Sequence, residues 1–241
     1  MKKISSIHYL KDHILLFAEK TPNKHKHFAK HLIFGVDGNL ECAIGDKKVI
    51  CKGICIESNI VHTVLTQNTK RIILLIDETS EIARSISYKF LKGQEYQIID
   101  EEIVKQVSTY YYECKDTEEL DEKILSICDI QNSPQMTYDD RVIKVIDEIY
   151  KTESIHKDIF DKLSSIACLS QSRLSHLFRE QVKISLASFL VMAKMHKTYN
   201  YYMRGENLTI ASIHAGFDSS SHFSATCKKM FGLSFSNYKR S

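Results

Sequence analysis

The chain has 241 residues, 43% of them apolar and 26% charged, with a net charge of +3. That composition fits globular domains, excludes a low-complexity chain, and leaves room for two separate cores. The charge is unevenly spread: residues from Thr137 onward balance at +5 and those before it at −2, as in a nucleic-acid reader joined to a module with another role. Seven cysteines, odd in number and without a C-x-x-C pair, argue for a reducing cytoplasm rather than a disulfide framework. No apolar stretch of signal-peptide length follows Met1-Lys2-Lys3, and Ile72-Ile73-Leu74-Leu75-Ile76 is too short to span a bilayer, so a soluble cytoplasmic protein is expected.

The first half reads as short β-strands over residues 14–18, 32–36, 40–44, 48–51, 61–65 and 71–76. Asp37-Gly38-Asn39 and Gly45-Asp46-Lys47 have the residues tight hairpins need, since Gly, Asn and Asp tolerate positive φ. Strands at this spacing predict a small β-barrel or sandwich. Cys51 and Cys55 read as packing residues in a strand and turn rather than as metal ligands.

The hydrophobic period then changes. Ile103, Val104, Val107, Tyr110 and Tyr111 mark one helical stripe, and Leu120, Ile124, Ile127 and Cys128 mark another. Such a pair can pack on the barrel or on a second copy of the chain, and a homodimer through these helices is expected. Gln131-Asn132-Ser133-Pro134-Gln135 reads as a linker, because Pro134 disfavours helix in the residue before it. The predicted domains are therefore 1–131 and 137–241. Beyond the linker the pattern is helical throughout, with Val142, Ile143, Ile146 and Ile149 on one face and a long segment from Ser185 to Met203.

Within this helical half one pattern occurs twice, about fifty residues apart. The first copy, over residues 159–182, contains Leu163-Ser164, Leu169-Ser170, Leu174-Ser175 and Phe178-Arg179. The second, over 208–232, contains Ala211-Ser212, Gly216-Phe217-Asp218, Phe223-Ser224 and Cys227-Lys228. In each, a small residue (Ser164, Ser212) lets two helices approach and an apolar one (Leu169, Phe217) plugs the turn. Ser170 or Asp218 can then cap the second helix. The buried stripes leave polar faces: Gln171, Ser172, Ser175, His176 and Arg179 in the first copy, and Ser219, Ser220, Ser221, Ser224 and Lys228 in the second. Two helix–turn–helix readers explain this better than two hairpins of an ordinary bundle. Arg179, Lys183, Lys228 and Lys229 would hold phosphates. Base edges would be read by Gln171, Ser172, Ser175 and His176, and by Ser220, Ser221, His222 and Ser224. A 20-residue helix between the motifs would be about 30 Å long, suited to a groove spacing of roughly 34 Å.

The second copy, Gly216-Phe217-Asp218-Ser219-Ser220-Ser221-His222-Phe223-Ser224, followed by Lys228-Lys229-Met230-Phe231-Gly232-Leu233-Ser234 and Tyr238-Lys239, resembles the DNA-binding domain of AraC/XylS-family bacterial transcription regulators. The first copy agrees. Departures are Val182-Lys183 where Thr-Gly is common, Lys194 in place of an Arg, Cys227 in place of a core Phe and Phe235 in place of a Pro. Cys227 reads as a core residue rather than a thiol switch. The resemblance implies an α+β chain: a cupin-like amino-terminal β-barrel that senses an effector, two helices, and an all-α carboxy-terminal domain. It implies promoter DNA, RNA polymerase and a small-molecule effector as partners, no cofactor, and transcriptional activation rather than catalysis.

The amino-terminal half resembles the sensor barrel through His25-Lys26-His27-Phe28-Ala29-Lys30-His31, Ile54 to Asn59, His62 and Leu74 to Glu78. The spacing of His25, His27, His31 and His62 is that of metal ligands in enzyme cupins, with His31 where a Glu usually stands. Effector recognition by His25, His27, His31 and His62 is favoured, because Lys24, Lys26 and Lys30 would repel a cation and attract an organic anion. The alternatives are a Zn²⁺, Ni²⁺, Cu²⁺ or Fe²⁺ site on His25, His27 and His62, a thiol or metal sensor using Cys51 and Cys55, or a cupin metalloenzyme fused to a DNA-binding domain.

Overall fold

A computed structural model of the chain describes residues 7–10, 12–18, 24–26, 29–65, 69–130 and 138–231. Their contacts define two compact units, one drawn from the first 135 residues together with the stretch from Lys228 onward, and the other spanning Met136–Cys227. The expected linker at 131–135 and the terminal Phe235, Tyr238 and Lys239 lie outside the described residues.

The first unit holds nine described strands: β1 (Ile7–Tyr9), β2 (His13–Ala18), β3 (Ala29–Gly35), β4 (Leu40–Ile44), β5 (Lys47–Cys51), β6 (Gly53–Ile56), β7 (His62–Leu65), β8 (Arg71–Asp77) and β9 (Tyr96–Ile98). They form an antiparallel six-stranded sheet, β1-β2-β8-β3-β6-β9, and a three-stranded one, β5-β4-β7. Ile33, Leu40, Cys42, Ile44, Ile54, Ile56 and Val64 fill the space between the sheets. The outer face of the larger sheet carries Leu15, Leu32, Phe34, Cys55, Ile72, Leu74 and Ile76. On that face lie α1 (Glu81–Ile86), which runs into a π turn at Ser87–Leu91, and α2 (Glu101–Glu113) and α3 (Thr117–Ile127). Because β3 is covered on both sides, its residues are buried throughout and its sequence shows no alternation.

The two expected turns differ in outcome. Residues 37–39 are not a hairpin but a crossing from one sheet to the other, since β3 and β4 lie in different sheets. Gly35 is required there, because a Cβ would sit 2.4 Å from the Gly38 carbonyl oxygen. The hairpin at Gly45 is real, joining β4 to β5 with φ of 57° at Gly45. The α2 and α3 stripes pack on the β-domain: Val104, Val107, Leu120, Ile124 and Cys128 are buried in the unit's own core.

The second unit is helical: α4 (Asp140–Lys151), α5 (Ile159–Ala167), α6 (Gln171–Val182), α7 (Leu186–Met203), α8 (Leu208–His214) and α9 (Ser220–Phe231) as far as Cys227. Helices α4, α6, α7 and α8 start where the sequence offers a cap: Asp139 bonds the Arg141 amide, Ser170 the Arg173 amide, Ser185 the Ser188 amide and Asn207 the Ile210 amide. The cap of α9 is Ser219, whose Oγ accepts from His222 N at 3.0 Å, not Asp218 as expected. Asp218 instead faces His222 at 3.4 Å.

Candidate functional site

The two helix–turn–helix motifs are α5–α6 and α8–α9. In α6, Leu174, Phe178 and Val182 are buried, and Phe178 packs on Phe189 of α7 with ring centroids 5.5 Å apart. In α9, Phe223 and Cys227 are buried, and Phe223 meets Phe217 of the turn edge-to-face at 5.3 Å. Cys227 contacts the Met195 sulfur, and burial pushes its thiol up to about 12, as suits a core residue. Helix α7 is buried at Leu186, Phe189, Leu190, Ala193, Met195, Thr198 and Tyr199. These positions lie all round the helix, because the first motif packs on one side and α8 on the other.

A segment between α4 and α5 ties the motifs together. Ile155 N donates to the Ala215 carbonyl at 3.2 Å, and Ser154 Oγ to that of His214 at 2.5 Å. Tyr201 of α7 donates to the Glu153 carbonyl at 2.9 Å and stacks on His214 at 4.0 Å. Lys194 completes the clamp, its ammonium donating to the Gly216 carbonyl at 2.7 Å and lying over the Phe217 ring. The Lys in place of an Arg thus has a structural role, and burial pushes its ammonium down.

Of the expected DNA-reading residues, Gln171, Ser172, His176, Arg179, Ser221, His222, Ser224 and Lys228 are exposed, while Ser175 and Ser220 are half-buried. Their standing within each helix differs. Gln171 extends the line of Phe178 and Val182, seven and eleven residues on, and its Nε2 donates to Asp161 Oδ1 of α5 at 2.7 Å. Opposite the buried stripe of α6 stand Ser172, Arg173, His176 and Glu180, with Arg179 at their flank, all exposed. Opposite that of α9 stand Ser221, Ala225, Lys228 and Lys229, also exposed. Sequence reasoning passed over Arg173 and Ala225, although the spacing of the buried residues was enough to find them. Lys183 is exposed and takes the left-handed conformation, φ 68°, at the end of α6, which explains why Gly is common there.

In the first unit three histidines converge at one end of the space between the sheets. His25 and His62 exchange backbone hydrogen bonds of 3.0 and 2.9 Å. Their rings lie 4.6 Å apart, and His31 meets His62 edge-on at 4.5 Å. His27 lies outside the described residues. Burial pushes His62 down to about 4, although its Nδ1 hydrogen bond to the Ile60 carbonyl at 2.8 Å pulls the other way. The imidazoles pack on one another, and His62 Nδ1 is already bonded. Among the described residues no three His, Cys, Asp or Glu side chains are set to hold a metal ion; His27, one of the three ligands of the metal alternative, lies outside them.

The charge expected beside the histidines is also different. Lys24 and Lys26 are exposed, but Lys30 points to the other face of β3 from His31 and is buried in a salt bridge with Glu57 and with Glu78, 2.9 Å away. Burial alone would push its ammonium down, but attraction to Glu78 and Glu57 outweighs it and holds Lys30 above its ordinary value. Lys30 therefore serves a buried ion network, not an effector anion. Cys51 and Cys55 do not come together either: Cys51 faces the space between the sheets and Cys55 the helix-covered core. Cys51 instead shares the inner core with Cys42 of the paired strand β4.

The chain thus carries two helix–turn–helix motifs following a two-sheet β-domain in sequence. Residues 163–241 match the model of a helix-turn-helix domain. Over 237 residues the chain is 24% identical to the probable transcriptional regulator LumQ of Photobacterium leiognathi, covering 92% of this chain and 93% of that one. Its fold is that of ToxT from Vibrio cholerae. An apo variant of ToxT superposes with a TM-score of 0.61 at 12% identity over 95% of this chain and 97% of that one. Unsaturated fatty acid bound ToxT superposes at 0.57, with 12% identity over 94% of each chain. ToxT bound to (E)-4-(8-methylnaphthalen-1-yl)but-3-enoic acid gives the same score at 12% identity over 94% and 98%. Among the described residues no helix is long and apolar enough to cross a membrane.

Proposed function

We propose that the chain is a cytoplasmic, effector-responsive activator of transcription that sets α6 and α9 into successive major grooves of promoter DNA. The observation that carries this reading is the clamp. Ile155, Ser154, Tyr201 and Lys194 hold the turn of the second motif against the frame of the first, so Ser221 and Ala225 of the second arc belong to the same unit as the arc of α6. Helix α7, 18 residues long, extends about 27 Å, of the order of the rise between neighbouring grooves. Lys228, Lys229 and Arg179 are the phosphate contacts. The small side chains of α9 favour readout by close approach and DNA shape.

The β-domain is the sensor, with His25, His27, His31 and His62 at the effector site. This is supported by the convergence of three of them at one end of the inner core, and by carboxylic acids bound to ToxT, which shares the fold. Contact with RNA polymerase completes the role. Regulation rather than catalysis is the reading that the helix-turn-helix match supports. Genome-wide mapping of the tagged chain tests the reading. It should recover discrete sites upstream of genes that share a two-part motif; recovery without sequence preference would contradict it.

A further inference from the structure

Resting on the placement of α6 in a major groove, we infer that Arg173 is the residue of this helix that fixes specificity, by reading a guanine, and that Gln171 is not a base reader. Residues in the first turn of a recognition helix are the ones that reach base edges. Gln171, Ser172 and Arg173 are the three side chains of this first turn that compete to do so.

Gln171 carries on the buried line of Phe178 and Val182, and its amide nitrogen is held by Asp161 at 2.7 Å. Bidentate recognition of adenine needs that nitrogen as donor and the amide oxygen as acceptor together. The bond to Asp161 takes one of the two amide N–H donors and turns the amide towards α5, with a carboxylate beside it. Ser172 is exposed, but its hydroxyl both donates and accepts and so discriminates weakly.

Arg173 differs on each count. About 100° per residue separates neighbours on a helix, which places Arg173 on the arc opposite Leu174 and Phe178, beside Ser172 and His176. Its backbone is fixed, since the Arg173 amide donates to the Ser170 cap, while its side chain is exposed. A guanidinium offers two parallel donors, the complement of guanine O6 and N7. Arg179, in the last turn of the same helix, lies where a groove-bound helix meets the flanking backbone, so the two arginines divide base reading from phosphate binding.

Selection of random DNA duplexes by the full chain, repeated with Arg173→Ala, Arg173→Lys and Gln171→Ala, tests this. Wild type should select one invariant guanine in the first half-site, and replacing it with 7-deazaguanine should weaken binding. Arg173→Ala should lose about 10- to 100-fold on that site, accept any base at that position, and keep its affinity for unrelated duplexes. Arg173→Lys should keep that non-specific affinity yet select guanine less strictly, and Gln171→Ala should select the same sites as wild type. A uniform loss on all duplexes in Arg173→Ala, with a shallower salt dependence, would make Arg173 a phosphate contact and overturn the inference, as would a changed motif in Gln171→Ala. If wild type binds no duplex at all, the DNA-binding reading itself fails, an outcome distinct from either.

Discussion

Gly216 and Ile155 stand so close that a Cβ on Gly216 would lie 2.1 Å from the Ile155 carbonyl oxygen, and Gly216 also has a φ of 104°. The turn of the second motif therefore admits no side chain, for steric reasons from outside and conformational reasons from within. Gly216→Ala should destabilise the helical unit by more than about 2 kcal/mol, read as a lower thermal midpoint by circular dichroism. An unchanged midpoint would mean that the clamp between the motifs is not formed.

Lys30 and Glu78 test how the β-domain tolerates buried charge. Lys30→Met leaves the Glu78 carboxylate buried without its cation, and burial already pushes that carboxyl up. A loss of about 3–5 kcal/mol in urea unfolding is expected. Adding Glu78→Leu should recover most of it, because the stranded charge goes. If the double variant is no more stable than the single one, the ion pair is not the cause.

The histidine cluster makes stability depend on pH in a defined direction. His62 titrates at about 4 in the folded chain, against about 6.5 when unfolded, so the unfolded state takes up the proton first as pH falls. The contribution is fully present above about pH 6.5 and is lost progressively down to about pH 4, by roughly 1–3 kcal/mol. Measured against His62→Gln, which cannot titrate, the wild-type urea midpoint should fall more steeply between pH 7 and 4.5. Parallel curves would show that the ring is not buried neutral.

Lys183 holds a left-handed backbone at the end of α6 with φ of 68°, a conformation Gly adopts at less cost. Lys183→Gly should raise stability by about 0.5–1 kcal/mol while weakening DNA binding if the ammonium meets a phosphate. A fall in the thermal midpoint would contradict the first part, and unchanged binding the second.

Where local pattern and tertiary setting agree, the sequence was legible. Residues 40–44 alternate and end at Gly45-Asp46, and β4 spans Leu40–Ile44. Helices α5 and α6 fill the span expected of the first motif, since their caps and stripes are local features. Strand β6 (Gly53–Ile56) was hidden, because burial on both faces removes alternation. Lys30 shows a different limit. Its neighbours in sequence joined it to the histidines, whereas strand alternation turns it to the opposite face and towards Glu57 and Glu78, distant in sequence. Gln171 was chosen for its chemistry, and only Asp161, ten residues earlier, reveals that its amide is engaged.

Lys228 and Ser172 separate affinity from specificity on the proposed DNA face. Lys228→Ala should weaken binding to all duplexes alike and lower the salt slope by about one unit. Ser172→Ala should leave the slope unchanged. A sequence-dependent loss in Lys228→Ala would place that residue at a base edge instead.

Two motifs locked in one unit are proposed to read neighbouring grooves on one side of the duplex, and helical phasing tests this most directly. Once a preferred site is in hand, fluorescence anisotropy with the full chain should show binding reduced towards the non-specific level when about five base pairs are inserted between the two parts of the motif. That insertion turns the second part to the opposite side of DNA, with about 10 base pairs per turn. Equal affinity for the original and the lengthened site would show that α6 and α9 do not read DNA as a fixed pair.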